Sequence, residues 1–207
     1  MSYFPINLNL KNRRCLVIGG GEVAERKVEA LLDFGAAVTV IAPEITSRLN
    51  ELVSAGSVLH IARVYEPGDI EGAFLVIAAT DDRETNRAIS EEAQGLGILV
   101  NVVDDPELCT FFVPAIIRRG DLVVAISTSG KSPAMAKWVR EKLEPEVGPE
   151  YGALADLLGE IRDEVKAKYP NQADRNLAYR RILESDVLSL LKAGKLDEAR
   201  KKARECI

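Results

Sequence analysis

Up to about residue 110, short apolar runs alternate with longer stretches in which apolar residues recur every three or four positions. The runs at 14–18, 37–41, 58–62, 74–78 and 99–103 predict buried strands, and the stretches opening at 22, 46–55 and 83–94 predict helices between them. Val23, Val28, Leu31 and Leu32 form the apolar stripe of the first helix, and Gly35 supplies its stop. Strands and helices alternating at this spacing predict an α/β fold, a Rossmann-like doubly wound parallel sheet. The strand ends, at Pro43-Glu44, at Ala79 to Asp82 and at Asn101 to Asp105, then gather at the crevice where such sheets bind ligands.

Past residue 110 the pattern changes. Residues 111–117 and 122–127 read as two apolar strands joined by a turn at 118–121, followed by a polar loop, Ser127-Thr128-Ser129-Gly130-Lys131-Ser132-Pro133, and a helix to about residue 142. Ser132 is a natural N-cap with Pro133 at the first helical position. Residues 144–149 read as a linker. From 150 onward the chain is helical, with one apolar stripe (Ala153, Leu154, Leu157, Leu158, Ile161) up to Tyr169-Pro170-Asn171 and shorter helices at 173–184, at 186–192 and after Gly194. Three segments follow: a dinucleotide-binding domain over 1–110, a small α+β dimerisation region over 111–147, and a C-terminal helical region over 148–207. Phe111, Phe112, Val113, Ile116 and Ile117 with Leu122, Val123 and Val124 are more apolar than a small appendage can bury alone. That predicts a homodimer interface.

The first strand runs into Gly19-Gly20-Gly21-Glu22-Val23-Ala24. Gly19 can make the tight turn, Gly21 lets backbone approach a pyrophosphate, and Ala24 lets the helix sit close on the strand. The free amides at the helix start, around Glu22 and Val23, face the phosphates with the positive end of the helix dipole. A ribose-binding acid belongs about twenty residues further on. Glu44 stands roughly there, displaced by Pro43, and the strand end carries no arginine, although Arg48 follows four residues later; NAD is favoured over NADP. Asp81 or Asp82 can cap the next helix, and Thr80 and Asp81 either touch the adenosine half or serve in that cap.

The 207 residues are 47% hydrophobic, enough for a sizeable core. No run reaches membrane-spanning length, and residues 1–13 lack a signal-peptide core despite Lys11 and Arg13. Cys15, Cys109 and Cys206 are scattered without a C-x-x-C, so the expected location is a reduced cytoplasm. The net charge of −5 argues against nucleic-acid binding. Within 118–142, however, Arg118, Arg119, Lys131, Lys137, Arg140 and Lys142 face only Asp121 and Glu141. That basic island fits either a local anionic ligand or solvated helix faces.

His60 is the chain's only histidine and lies in the third strand, which makes a histidine triad or a histidine-rich metal site improbable and gives it a structural part. At the crevice stand Asp104 and Asp105, either of which can serve as a general base or as a loop residue. Side chains alternate along a strand and its immediate extension, so one of the two is expected to enter the crevice; Asp105, before Pro106, reads as the turn residue.

Several segments together carry a resemblance: Val17 to Lys27, Ala78-Ala79-Thr80-Asp81-Asp82, Asn101-Val102-Val103-Asp104, Phe112-Val113-Pro114-Ala115, and the serine loop from Ser127 to Pro133. In order across residues 1–145 they resemble the precorrin-2 dehydrogenase and sirohydrochlorin ferrochelatase family, the dehydrogenase module of sirohaem synthases. The resemblance implies NAD-dependent oxidation of precorrin-2 to sirohydrochlorin. In some members Fe²⁺ is then inserted as a second substrate to make sirohaem. It implies Asp104 as the catalytic aspartate and a homodimer. The cofactor-binding residues expected from these readings together are Gly19, Gly21, Glu22, Val23, Ala24, Glu44, Thr80, Asp81, Asn101 and Val103. A carboxylate-rich tetrapyrrole would give Arg118, Ser129 and Lys131 a purpose as substrate ligands, and no resident metal is expected. Two rivals remain at this stage: an NAD(H)-sensing regulatory Rossmann domain without catalysis, and a structural protein with no cofactor affinity.

Overall fold

The computed structural model describes residues 3–207. The chain divides into two compact units, meeting in sequence at Phe112 and Val113. The first holds strands β1 (Arg14–Ile18), β2 (Ala37–Ile41), β3 (Val58–Ile61), β4 (Leu75–Ala78) and β5 (Leu99–Val102), with helices α1 (Glu22–Asp33), α2 (Ser47–Ser54) and α3 (Arg83–Gly95). The five strands form one sheet in the order β3-β2-β1-β4-β5, and every neighbouring pair is parallel. The central strands are apolar on both faces, as a parallel sheet covered on two sides requires. Cys15 and Val17 of β1, with Leu75 and Ile77 of β4, enter a core shared with Ala24, Val28 and Leu31 of α1. Leu16, Ile18, Val76 and Ala78 enter the opposite core with Ile89 and Ala93 of α3. Alternation with a period of two thus feeds both faces. Burial pushes the Cys15 thiol up to about 11, so it stays a neutral core group.

The strand ends differ from the sequence expectation by a residue or so, with one larger correction. The expected strand at 111–117 begins only at Ala115. Pro114 lacks an amide for the ladder and biases the residue before it, and the Phe111 carbonyl is taken by the Asn101 side chain. The second unit thus starts with a hairpin, β6 (Ala115–Arg119) and β7 (Leu122–Ile126), paired antiparallel with Arg119 opposite Leu122. Its turn is two residues rather than four, and Gly120 takes φ +59° there. Helix α4 (Pro133–Leu143) follows, capped by Ser132 as the sequence predicts, its hydroxyl accepting from the Met135 amide at 3.2 Å. The tail is helical: α5 (Pro149–Glu160), α6 (Arg162–Lys168), α7 (Gln172–Leu183), α8 (Val187–Lys192) and α9 (Leu196–Glu205). The apolar stripe read as one helix breaks at Ile161, which ends α5 and precedes α6. Leu154, Leu157, Ile161, Val165, Ile182, Val187, Ala199 and Ala203 make the core of this tail.

Candidate functional site

Three strand ends converge at one edge of the first unit. Ile18 is level with Ala78 and Ala78 with Val102, so Gly19, Ala79 and Val103 follow side by side. The backbone stitches them together: Ala79 N–H donates to Ile18 (2.8 Å), Val103 N–H to Ala78 (2.9 Å) and Gly19 N–H to Ile41 (3.0 Å).

The three glycines serve three separate needs. Gly19 has φ +123°, and a Cβ there would stand 2.2 Å from the Ala79 carbonyl oxygen. At Gly20 a Cβ would stand 1.9 Å from the Glu44 carbonyl oxygen, so the β2–α2 loop runs directly against it. Gly21 has an ordinary φ of −82°, and a Cβ there meets nothing within 4 Å. Neither backbone strain nor any neighbour in the chain requires glycine at 21, and the space beside its backbone is open. Gly21 is also the N-cap of α1 and offers no capping side chain, whereas Thr46 caps α2 and Asp82 caps α3. The first amides of α1 are left for an outside acceptor, with the positive end of the dipole behind them. An open cradle lined by amides fits the pyrophosphate of a dinucleotide.

Thr46 supports this turn from behind. Its amide donates to the Gly20 carbonyl (3.1 Å), and its hydroxyl donates to Glu25 of α1 (2.5 Å) and accepts from the Leu49 amide (3.2 Å). Thr46→Val keeps the shape and removes the hydroxyl, so the protein should lose about 1 kcal/mol of stability through the lost cap. A lower urea midpoint at unchanged slope checks this.

The remaining predicted residues fall around the same edge in different ways. Glu44 is exposed, three residues beyond β2, and Arg48 is engaged by Glu29 (3.0 Å) and Glu51 (2.9 Å). The Thr80 hydroxyl lies 2.8 Å from Asn86 Oδ1, while Asn86 Nδ2 donates to the Thr80 carbonyl (2.9 Å). Asp82 rather than Asp81 caps α3, accepting from the Thr85 hydroxyl and from the Thr85 and Glu84 amides, and those bonds, the hydroxyl's first, hold its carboxyl below the usual carboxylate range. The buried Asn101 spends its amide donors on Phe111 (3.1 Å) and Cys109 Sγ (3.5 Å). His60 Nε2 donates to the Ala42 carbonyl (2.9 Å), tying β3 to the end of β2, the structural part expected of it.

The two aspartates part clearly. Asp105 is largely covered, its side chain 18% exposed, and is paired with Arg83 at 3.4 Å. Asp104 is exposed and lies in the left-handed region at φ +59°. Strand alternation does not separate the two, because β5 already ends at Val102 and the left-handed turn re-aims the chain. Cys109 pins that turn: its Sγ accepts from the Val102 amide (3.2 Å) and lies 3.2 and 3.3 Å from the Val102 and Asp105 carbonyls.

Lys27, on α1, escaped the sequence reading. It is half-buried, and burial, then neighbouring Arg26, push its ammonium below the ordinary lysine range, while the charge of Asp104 opposes that shift. A visible signal was its place three residues after Ala24 and beside Val28, on the helix face that meets the core. The missed Gly20 also left a signal, since three consecutive glycines exceed what the phosphate turn needs.

In the second unit, Ser129 (φ +53°) and Gly130 (φ +79°) bend the serine loop, with Lys131 exposed at its tip. The basic island is smaller than the sequence window suggests. Arg119 donates to the Val147 (2.8 Å) and Glu144 (3.4 Å) carbonyls, and Arg140 pairs with the Glu144 carboxylate at 2.6 Å. Glu144 lies two residues beyond Lys142, the last cation of that island. Arg118 donates to the Gly120 carbonyl at 3.3 Å.

An α/β sheet with an amide-lined glycine turn at its strand edge defines a dinucleotide-binding protein. Residues 6–115 match a family model described as putative NAD(P)-binding, residues 119–145 that of the sirohaem biosynthesis protein central region, and residues 150–207 that of the sirohaem synthase dimerisation region. The chain belongs to this NAD(P)-binding family, in the branch formed by the dehydrogenase part of sirohaem synthases. It is 43% identical over 200 residues to the sirohaem synthase of Methylobacillus flagellatus, covering 97% of this chain and 43% of that protein. The sirohaem synthase of Nitrosomonas eutropha is 41% identical over 196 residues, covering 94% and 41%. The chain thus spans less than half the length of these relatives. Among solved structures, a precorrin-2 dehydrogenase (SirC) is similar over 98% of this chain and 100% of its own, with a TM-score of 0.76 and 26% identity.

Proposed function

We propose that this chain oxidises precorrin-2 to sirohydrochlorin with NAD⁺ as acceptor. The observation that carries the reading is the likeness, along nearly the whole chain, to a precorrin-2 dehydrogenase. The open Gly21 cradle and the placement of Asp104 support it. Bound at the glycine turn, NAD⁺ supplies a two-electron hydride acceptor. The chain then has to position it, exclude competing acceptors and remove one proton, so that hydride plus proton account for the two hydrogens lost. Gly19, Gly21 and the amides of Glu22, Val23 and Ala24 take the pyrophosphate. Glu44, Thr80, Asp81, Asn101 and Val103 line the rest of the cofactor path, largely through backbone where their side chains are already engaged. Asp104 takes the proton: its carboxylate has no hydrogen bond among the described residues, whereas Asp105 is held by Arg83. Arg118, Ser129 and Lys131 of the second unit are candidate ligands for substrate carboxylates.

NAD is preferred over NADP because Arg48, the nearest cation after β2, is already paired twice. Replacing NAD⁺ by NADP⁺ in the assay tests this directly. Insertion of Fe²⁺, a substrate rather than a resident metal, is the second activity to test, by adding Fe²⁺ to sirohydrochlorin and following absorbance. A regulatory NAD(H) sensor would bind the dinucleotide and leave precorrin-2 unchanged. The three free cysteines suit a cytoplasmic location.

We assign the working form as a homodimer built from the second unit. Val113, Val123, Met135, Trp138 and Leu143 are exposed there, and residues 150–207 match the dimerisation-region model. Light scattering at micromolar concentration should give twice the 22.6 kDa of one chain; a single-chain mass would contradict the assignment.

A further inference from the structure

We propose that Cys109 is a positioning residue for Asp104, its thiol clamping the two ends of the turn that presents that carboxylate. The inference rests on the proposed dehydrogenase reading and adds a residue to it.

The sheet ends at β5, so the backbone groups on the outer side of that strand have no neighbouring strand to pair with. Val100 and Val102, two residues apart, turn theirs to that side. The returning chain at 109–111 meets them. Thr110 serves Val100, its amide donating to the carbonyl (2.8 Å) and its hydroxyl accepting from the amide (2.9 Å). Cys109 serves Val102 through sulfur, accepting from the amide at 3.2 Å and lying 3.2 Å from the carbonyl. The Asn101 side chain holds the same segment by donating to the Phe111 carbonyl at 3.1 Å. Residues 103–108 thus form a closed loop with its neck at Val102 and Cys109.

Asp104 sits in that neck, third in the turn Val102-Val103-Asp104-Asp105. The turn's own closing bond, from the Asp105 amide to the Val102 carbonyl, is long at 3.5 Å, and Asp104 holds φ +59°. A left-handed residue other than glycine persists where its surroundings hold it. The Cys109 sulfur is 3.2 Å from the Val102 carbonyl and 3.3 Å from the Asp105 carbonyl, one at each end of the turn. The thiol proton serves either carbonyl while the sulfur takes the amide. Burial holds this thiol above its ordinary range, so the proton stays on. Arg83 also grips the turn through the Asp105 carboxylate, but its side chain is exposed, and a pair of that kind contributes little. The Asp104 carboxylate has no hydrogen bond among the described residues. Its direction is therefore set by the backbone beneath it, which Cys109 fixes, and a shift of about 1 Å in a proton acceptor is enough to cost a large factor in rate.

The test compares Cys109→Val with Cys109→Ser. The backbone of residue 109 is extended (φ −97°, ψ 135°), which suits a β-branched valine that fills the sulfur's volume without its hydrogen bonds; serine keeps a donor and an acceptor. Cys109→Val should lower kcat for precorrin-2 oxidation about fivefold or more with the dissociation constant for NAD⁺ changed less than about twofold, and Cys109→Ser should keep at least about half of the wild-type kcat. In the Asp104→Asn background, Cys109→Val should have little further effect, because the residue it acts through is already disabled. In the unliganded protein, hydrogen exchange of the Asp105 amide, which closes the turn, should speed up roughly tenfold in Cys109→Val and stay near wild type in Cys109→Ser. Should valine not fit, Cys109→Ala carries the same expectations. An unchanged kcat in the folded variant, unchanged exchange at Asp105, or losses that multiply in the double variant would overturn the proposal. Loss of NAD⁺ affinity in parallel with kcat would overturn it too, placing the thiol on the cofactor path, as would failure of both Cys109→Val and Cys109→Ala to fold, which would make it a packing group. If wild-type protein leaves precorrin-2 unoxidised, the dehydrogenase reading fails, while exchange at Asp105 still reports whether the thiol holds the turn.

Discussion

If the proposed reading holds, Asp104→Asn should lower precorrin-2 oxidation by roughly a hundredfold or more, about 2.7 kcal/mol of transition-state stabilisation, while NAD⁺ affinity should stay nearly intact. The amide keeps the size of the carboxylate and removes the proton acceptor. Left-handed backbone tolerates asparagine as readily as aspartate, so the turn at φ +59° survives the change. The comparison variant is its neighbour. Asp105→Asn weakens the pairing with Arg83 but leaves an acceptor in the same place, and turnover should change much less. Equal losses in the two variants, or a loss confined to Asp105→Asn, would move the base away from Asp104. Steady-state kinetics on both variants, with circular dichroism to confirm the fold, decides between them.

The second large effect is on cofactor affinity. Gly21→Asp should weaken NAD⁺ binding at least tenfold, about 1.4 kcal/mol, without loss of thermal stability in the unliganded protein. The expectation follows from two features of that position: its φ of −82° suits any residue, and an added Cβ meets nothing within 4 Å. An aspartate at an uncapped N-cap should even support α1, so a loss of affinity reports on the ligand alone. Gly20→Ala is the contrasting case. Its methyl group would stand 1.9 Å from the Glu44 carbonyl, so stability falls before any ligand is added. Titration by intrinsic fluorescence, alongside melting of the free protein, separates the two. NAD⁺ affinity unchanged in folded Gly21→Asp would remove the glycine turn from the site.

The first unit was legible because its strands are buried on both faces. Leu16 to Ile18 and Leu75 to Ala78 have no polar position to confuse with a surface helix, and Gly35 and Asp82 punctuate the helices by their own chemistry. The glycine turn was legible for the same reason, since a bend after a buried run has few uses. What escaped was set by contacts distant in sequence. The need for Gly20 arises from the Glu44 carbonyl, and the fixation of the Asp104 turn arises from Cys109 and Arg83. The hold of the Asn101 side chain on the Phe111 carbonyl, ten residues further on, was hidden for the same reason. Strand alternation, which led to the expectation that one of Asp104 and Asp105 enters the crevice, does not operate there, because β5 ends at Val102 and the chain turns left-handed at Asp104 itself. The basic island was overcounted because Glu144, just past the window, binds both Arg119 and Arg140.

The most direct measurement is anaerobic incubation of the purified chain with precorrin-2 and NAD⁺, followed by absorbance of both the macrocycle and the nicotinamide. The expected result is sirohydrochlorin and NADH in a one-to-one ratio, formed only with enzyme and NAD⁺ together. NAD⁺ binding with no NADH formed and precorrin-2 left unchanged would contradict it and make the chain a dinucleotide sensor.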